Sequence, residues 1–169
     1  MSTHTDLPIF DRRAHARAVP DFSLTLSFEQ RSKGRLRAFG DHGREIALML
    51  ERGHVLRGGT LLTGPCGDVL LVRAAPERVS EVRSHVPREL ARAAYHLGNR
   101  HVSLQIGDAW LRYLGDHVLD DMMRGLGFTV HALEAPFEPE SGAYAPAGHS
   151  HDGHGGHSHG PRDTHGHEH

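Results

Sequence analysis

Side chains of a single chemical kind are densest in the run "GHSHDGHGGHSHGPRDTHGHEH" that ends the chain. From His149 to His169, eight of twenty-one residues are histidine: His149, His151, His154, His157, His159, His165, His167 and His169. At pH 7 imidazole is mostly neutral and offers a lone pair, which suits nickel, zinc and copper better than calcium or magnesium. "HSH", "HGH" and "HEH" set histidines two apart, and "HDGH" and "HGGH" set them three apart, with glycines permitting tight turns around one ion. Because the backbone must order around each ion, such sites are weak and exchange quickly, as in a carrier or a buffer. Two bland alternatives exist: a purification tag, which is usually an uninterrupted histidine run, and a solvated tract with no metal role. The segment holds no hydrophobic residue with which to bury a core, so residues 146–169 are expected to be a disordered tail.

Fewer histidines in the body have useful spacing. His101, in "LGNRHVSLQI", follows a helix-stopping glycine and begins a strand. One imidazole cannot hold a transition metal specifically, since three or more ligands are normally needed. A two-fold dimer changes that count, because an isologous contact sets two copies of His101 beside one axis. His96 lies near the end of the preceding helix. His117, in "GDHVLDD", stands at a helix start beside Asp116, Asp120 and Asp121; a polar first turn is its plain alternative. Cys66, in "TGPCGD", is either an exposed soft ligand or an ordinary turn residue, and Met122 and Met123 fit an apolar stripe.

The elements that must position these groups are legible in the pattern. A chain of 169 residues has room for two small domains and a tail. The net charge of -2 comes from the tail, where Asp152, Asp163 and Glu168 outweigh Arg162. The balanced body argues against nucleic acid as a partner. One cysteine excludes an internal disulfide framework and a cysteine zinc cage. The first twenty-two residues show no apolar leader and no stretch approaches the ~18 apolar residues of a membrane span, so a cytoplasmic protein with no membrane partner is expected.

From Phe22 to about Arg73 short strands alternate with glycine turns: "FSLTLSF", "GRLRAFG", "IALML", "RGHVLRGGTLL" and "VLLVRA". That grammar predicts a small all-β domain over residues 1–75. "RVSEVR" then reads as a strand and "VPRELARAAYHLGN" as a helix, with Pro87 in its first turn and Gly98 as its stop. "HVSLQI" and "AWLRYL" read as strands. In "DHVLDDMMRGLG" Asp116 is the N-cap, Val118, Leu119, Met122, Met123 and Leu126 form the stripe, and Gly127 ends the helix. "FTVHAL" closes the series. The order β-α-β-β-α-β predicts a ferredoxin-like domain within residues 76–145, making the whole an α+β chain. The sheet face away from the helices needs a cover, either the first domain or a second copy. "EAPFEPESGAYAPAG" reads as a wrapping extension.

Enzyme motifs are missing: there is no H-E-x-x-H, no phosphate-cradling glycine loop, no G-x-S-x-G and no cysteine with a base. A non-enzyme is expected.

"YHLGNRHVSLQI", "LRYLGDHVLDDMMRGLGFTV", "APFEPESGAY" and "EQRSKGRLRAFGDHGREIALMLERGHVLRGGTLL", with the His-rich end, resemble the UreE family of urease accessory metallochaperones. The resemblance covers roughly residues 22–169, and "GNRH" with "PFEPESGAY" is its specific part. It implies an N-terminal β domain that contacts partner proteins, and a ferredoxin-like domain that dimerises and binds metal. It further implies Ni(II) delivery to the urease apoprotein in company with the urease accessory GTPase. The central ligand would be His101, one from each subunit. Some members carry two histidines around "DHV" as a secondary site; Gly115 and His117 occupy those places here, and His96 matches a position that is histidine in some members.

The leading expectation is a homodimeric nickel carrier, with zinc or copper able to compete. A flexible segment of 21 residues spans about 25 Å, from ~5–6 Å times the square root of length, enough to visit a site on its own domain. One rival is a histidine-rich metal buffer or storage protein in which the tail is the function. The other is a metal-dependent hydrolase using His117 with Asp116, Asp120 or Asp121.

Overall fold

The computed structural model describes residues 7–141. The eight tail histidines and the expected disorder of residues 146–169 lie outside the described residues.

The first half contains β1 (Ile9–Phe10), β2 (Arg12–Arg13), β3 (Phe22–Leu26), α1 (Phe28–Arg31), β4 (Arg35–Phe39), β5 (Glu45–Met49), β6 (Leu61–Thr63) and β7 (Val69–Ala74). They form two sheets, ordered β1-β5-β4 and β2-β6-β7-β3. Period-two alternation sends Leu24 and Leu26 of β3 inward, where they meet Phe10, Ile46, Leu48, Leu62, Leu70 and Val72.

Three details differ from the pattern-based expectation. β1 and β2 precede Phe22 and are too short for a periodicity to be visible. The end of "FSLTLSF" leaves the sheet: the Ser27 hydroxyl accepts from the Gln30 amide at 3.2 Å and the Gln30 side chain accepts from the Ser27 amide at 3.0 Å, a capping box that starts α1. "RGHVLRGGTLL" is a strand only at Leu61–Thr63.

The second half contains β8 (Pro76–Arg83), α2 (Pro87–Gly98), β9 (Gln105–Ile106), β10 (Trp110–Leu114), α3 (His117–Gly125) and β11 (Val130–Pro136). The sheet order is β11-β8-β10-β9 with every neighbouring pair antiparallel. Ala93 and Leu97 of α2 and Met123 of α3 bury against Val82, Leu111 and Tyr113. Asp116 caps α3 by accepting from the Val118 and Leu119 amides at 2.8 and 3.2 Å, and Gly127, at φ +90°, follows its end. Val118, expected in the apolar stripe, is 61% exposed. The strand expected over "HVSLQI" is confined to Gln105–Ile106. Gly98 does not stop α2 by a left-handed turn; it stays helical, and that conformation falls on His101.

The helix-free face of this sheet is covered at one end by the first half. Phe28 of α1 meets Phe137 edge-on, with ring centroids 5.3 Å apart, over Val79 and Ala135. At the other end Glu81 is fully buried and receives hydrogen bonds from Arg83 and Arg112, the latter at 2.5 Å. Burial alone would raise the Glu81 carboxyl. The two guanidinium groups overcome it and hold the carboxyl below the usual carboxylate range.

Beyond β11 the chain ties both halves together. The buried Arg31 donates to the carbonyls of Leu26 (3.3 Å), Leu56 (3.0 Å) and Phe137 (2.5 Å), and lies 3.2 Å from Glu138. Glu138 also accepts from the Gly58 amide at 2.7 Å and from Arg57 at 3.3 Å. Its own amide donates to the Gln105 side chain at 3.1 Å, and the Glu140 amide donates to the Leu104 carbonyl at 2.7 Å. Of the expected wrapping extension, residues 134–136 belong to β11, residues 137–141 form this strap, and residues 142–148 lie outside the described residues.

Candidate metal centre

His101 stands one tight turn beyond α2. Its amide donates to the Gly98 carbonyl at 2.9 Å, and the Arg100 amide donates to the Leu97 carbonyl at 3.0 Å. These bonds carry the chain through φ +55° at His101, the only positive φ outside glycine among the described residues. Histidine is among the few residue types enriched in that region, and the conformation costs about 1–2 kcal/mol over a right-handed one. Val102 and Leu104, next in the chain, pack on the core of the second half. The backbone is thus anchored on both sides while the imidazole is exposed.

His96 lies in the last turn of α2, half-buried, with its ring 5.4 Å from that of Tyr95. His117 is the first residue of α3 and is exposed. The carboxylates near His117 have other partners. Asp116 caps the helix, Asp120 accepts from the Tyr113 hydroxyl at 2.9 Å, and Asp121 pairs with Arg124 at 2.9 Å. Burial and the Asp120 carboxylate push the Tyr113 hydroxyl well above its usual range. This arrangement fits a polar, well-capped helix start.

The segments that carry His101 and His117 do meet. Val102 and Ser103, just after His101, and Leu114 and Asp116, just before His117, share the wall of an open pocket of about 250 Å³ that Phe28 and Phe137 also line. Within one copy and among the described residues, no group of three or more histidine, cysteine or acidic side chains converges as a metal cage. Cys66 is exposed in the β6–β7 turn and Met123 is core, Met122 lying against it. In the second half, Val86, Tyr95 (66%), Ile106, Leu114 and Val118 are apolar side chains left exposed. Tyr95 had a signal, since it lies off the Leu90, Ala94 and Leu97 face. No helix among the described residues is long and apolar enough to cross a membrane.

Comparison with known proteins accounts for nearly the whole chain. Residues 3–75 match the family model described as UreE urease accessory protein, N-terminal domain, and residues 77–169 match the corresponding C-terminal domain. The urease accessory protein UreE of Pseudomonas putida (strain W619) is 62% identical over 129 residues, covering 76% of this chain and 80% of that protein. That of Alkalilimnicola ehrlichii is 55% identical over 151 residues, covering 80% and 93%. That of Azotobacter vinelandii is 53% identical over 146 residues, covering 86% and 87%. With both halves matched in order and identities above one half across most of its length, the chain belongs to the UreE family of urease accessory proteins.

Proposed function

We propose that this protein is a cytoplasmic, homodimeric nickel carrier without enzymatic turnover, which supplies Ni(II) for assembly of the urease active site. His101 from each of two copies grips the ion at the dimer axis, on a ferredoxin-like domain. His96 and His117 are accessory donors on flanking helix ends. The tail histidines capture the cation and raise its concentration near that axis. The N-terminal domain meets the urease apoprotein and its accessory proteins, including the accessory GTPase.

The observation that carries this reading is His101 itself: an exposed imidazole on a backbone held left-handed by its neighbours, a strained conformation of the kind that clusters at functional sites. One copy supplies too few converging donors among the described residues, which supports a site completed by symmetry. Exposed Tyr95, Ile106, Leu114 and Val118 supply apolar surface for a second copy. Zinc and copper share these ligands and compete, so selectivity comes from availability and from the partners that accept the ion.

The test is nickel calorimetry on the chain ending at residue 148, with and without His101→Ala, alongside a mass measurement. We expect roughly one ion per dimer, as a shared two-fold site requires, and its loss in the variant. Unchanged uptake by the His101→Ala chain, or a nickel-loaded monomer, overturns the proposal. If removing residues 149–169 abolishes all binding, storage by the tail is the better account.

A further inference from the structure

The outer face of the β1-β5-β4 sheet lies far along the chain from His101 and carries none of the histidines proposed above to hold metal. β4 is an edge of that sheet. Its register with β5 fixes which backbone groups point outward. The Leu50 amide donates to the Gly34 carbonyl at 2.6 Å and the Gly40 amide to the Arg44 carbonyl at 2.9 Å. Hydrogen-bonded pairs recur every second residue in an antiparallel ladder, so Leu36 and Ala38 face β5 with their amides and carbonyls. The backbone groups of Arg35, Arg37 and Phe39 point away from it, and among the described residues no hydrogen bond uses them.

The side chains of those same three residues stand on the exposed face. Phe39 is 67% exposed and Met49 44%, and Ile9 and Ala47 continue the apolar strip on β1 and β5. Arg35 is in no ion pair among the described residues, and Arg37 is 3.8 Å from Glu45 across an exposed contact. A groove of about 290 Å³ runs between Arg35, Arg37, Ala47 and Met49. Arg35 and Arg37 keep a like edge from pairing with this one, while the apolar Phe39 and Met49 beside the unpaired backbone and the two cations favour an acidic partner.

We propose that β4 is a docking edge for an extended acidic segment of a partner protein, which adds to the sheet as a further strand. Its backbone pairs with the outward groups of Arg35, Arg37 and Phe39. Its carboxylates meet Arg35 and Arg37, and its apolar side chains lie on Phe39 and Met49. This deepens the assignment of partner contacts to the N-terminal domain and is independent of the nickel site.

The test uses the full-length chain and a fluorescein-labelled peptide alternating glutamate with valine, read by anisotropy, with a lysine–valine peptide as control. Arg37→Pro removes an outward amide while sparing every bond to β5, so the fold survives, as thermal unfolding verifies. We expect the acidic peptide to bind, to weaken with salt, and to weaken about tenfold or more with Arg37→Pro and with Phe39→Ser. Absence of binding, equal binding of both peptides, or binding unaffected by Arg37→Pro overturns the proposal. A mass that halves with Arg37→Pro also overturns it, since the edge would then join copies of this chain. Nickel uptake measured on the same samples separates failure of this surface from failure of the nickel proposal.

Discussion

At the scale of single residues, His101 combines two properties that are seldom joined: a side chain open to solvent and a backbone with almost no freedom. The sequence placed it correctly at the junction after a helix, because "LGNRH" ends an apolar stripe and polar residues follow. It marks Gly98 as the stop, and α2 does end there, but it does not reveal that the left-handed turn falls on His101. Glycine adopts that conformation without cost, and here tertiary anchoring of Val102 and Leu104 shifts it three residues on. Two substitutions separate the backbone from the chemistry. His101→Gly should keep or slightly raise thermal stability, since glycine accepts φ +55° freely, whereas His101→Val should lose roughly 1–2 kcal/mol. Urea unfolding of the metal-free proteins checks both, and equal stabilities would mean that the turn is not held as described.

At the scale of elements, β8 shows how a central strand carries charge. Its pattern "PERVSEVR" looks half-exposed, yet Val79, Ser80, Glu81 and Val82 are all buried. Glu81 is accepted there because Arg83, two residues on in the same strand, and Arg112, across the ladder on β10, neutralise it, and the second pairing is one that local periodicity cannot disclose. Its carboxyl is held below the ordinary value, so its stabilisation is present above the unfolded-state pKa of about 4.3 and fades as pH falls through the folded value. Glu81→Gln should therefore lower stability at pH 7 by about 2 kcal/mol and flatten the acid side of the curve. Urea midpoints from neutral to acidic pH test this, and parallel curves would contradict it. The long regular elements, α2, α3, β3 and β10, were legible because their apolar spacing is unambiguous. β1, β2 and β9 are two residues each and exist only through pairing with distant partners.

At the scale of the whole molecule, one buried guanidinium lies at the centre of the seam between the halves. Arg31 donates to carbonyls from three separate segments, and its loss would leave those acceptors buried and Glu138 with only part of its partners. Arg31→Met should cost about 3 kcal/mol or more and raise hydrogen exchange over residues 137–141. A variant with wild-type exchange there would show that the seam holds by apolar contact alone. A strand-rich first half, the βαββαβ order of the second half and the tail's composition could be read from the sequence; helix α1 and this seam could not. "RSKG" and "PFEPES" are far apart in the chain and neither has a periodic pattern.

The strap also sets where the molecule can be cut. Because residues 137–141 are bonded to Arg31 and Arg57 on one side and to Leu104 and Gln105 on the other, they serve as a hasp, and the histidines begin only after it. A protease or an engineer trimming between Ser141 and His149 takes the histidine-rich end of the sequence and leaves the body latched. Trimming a few residues deeper would loosen the two lobes as well, and any property lost in such a fragment would say nothing about the histidines.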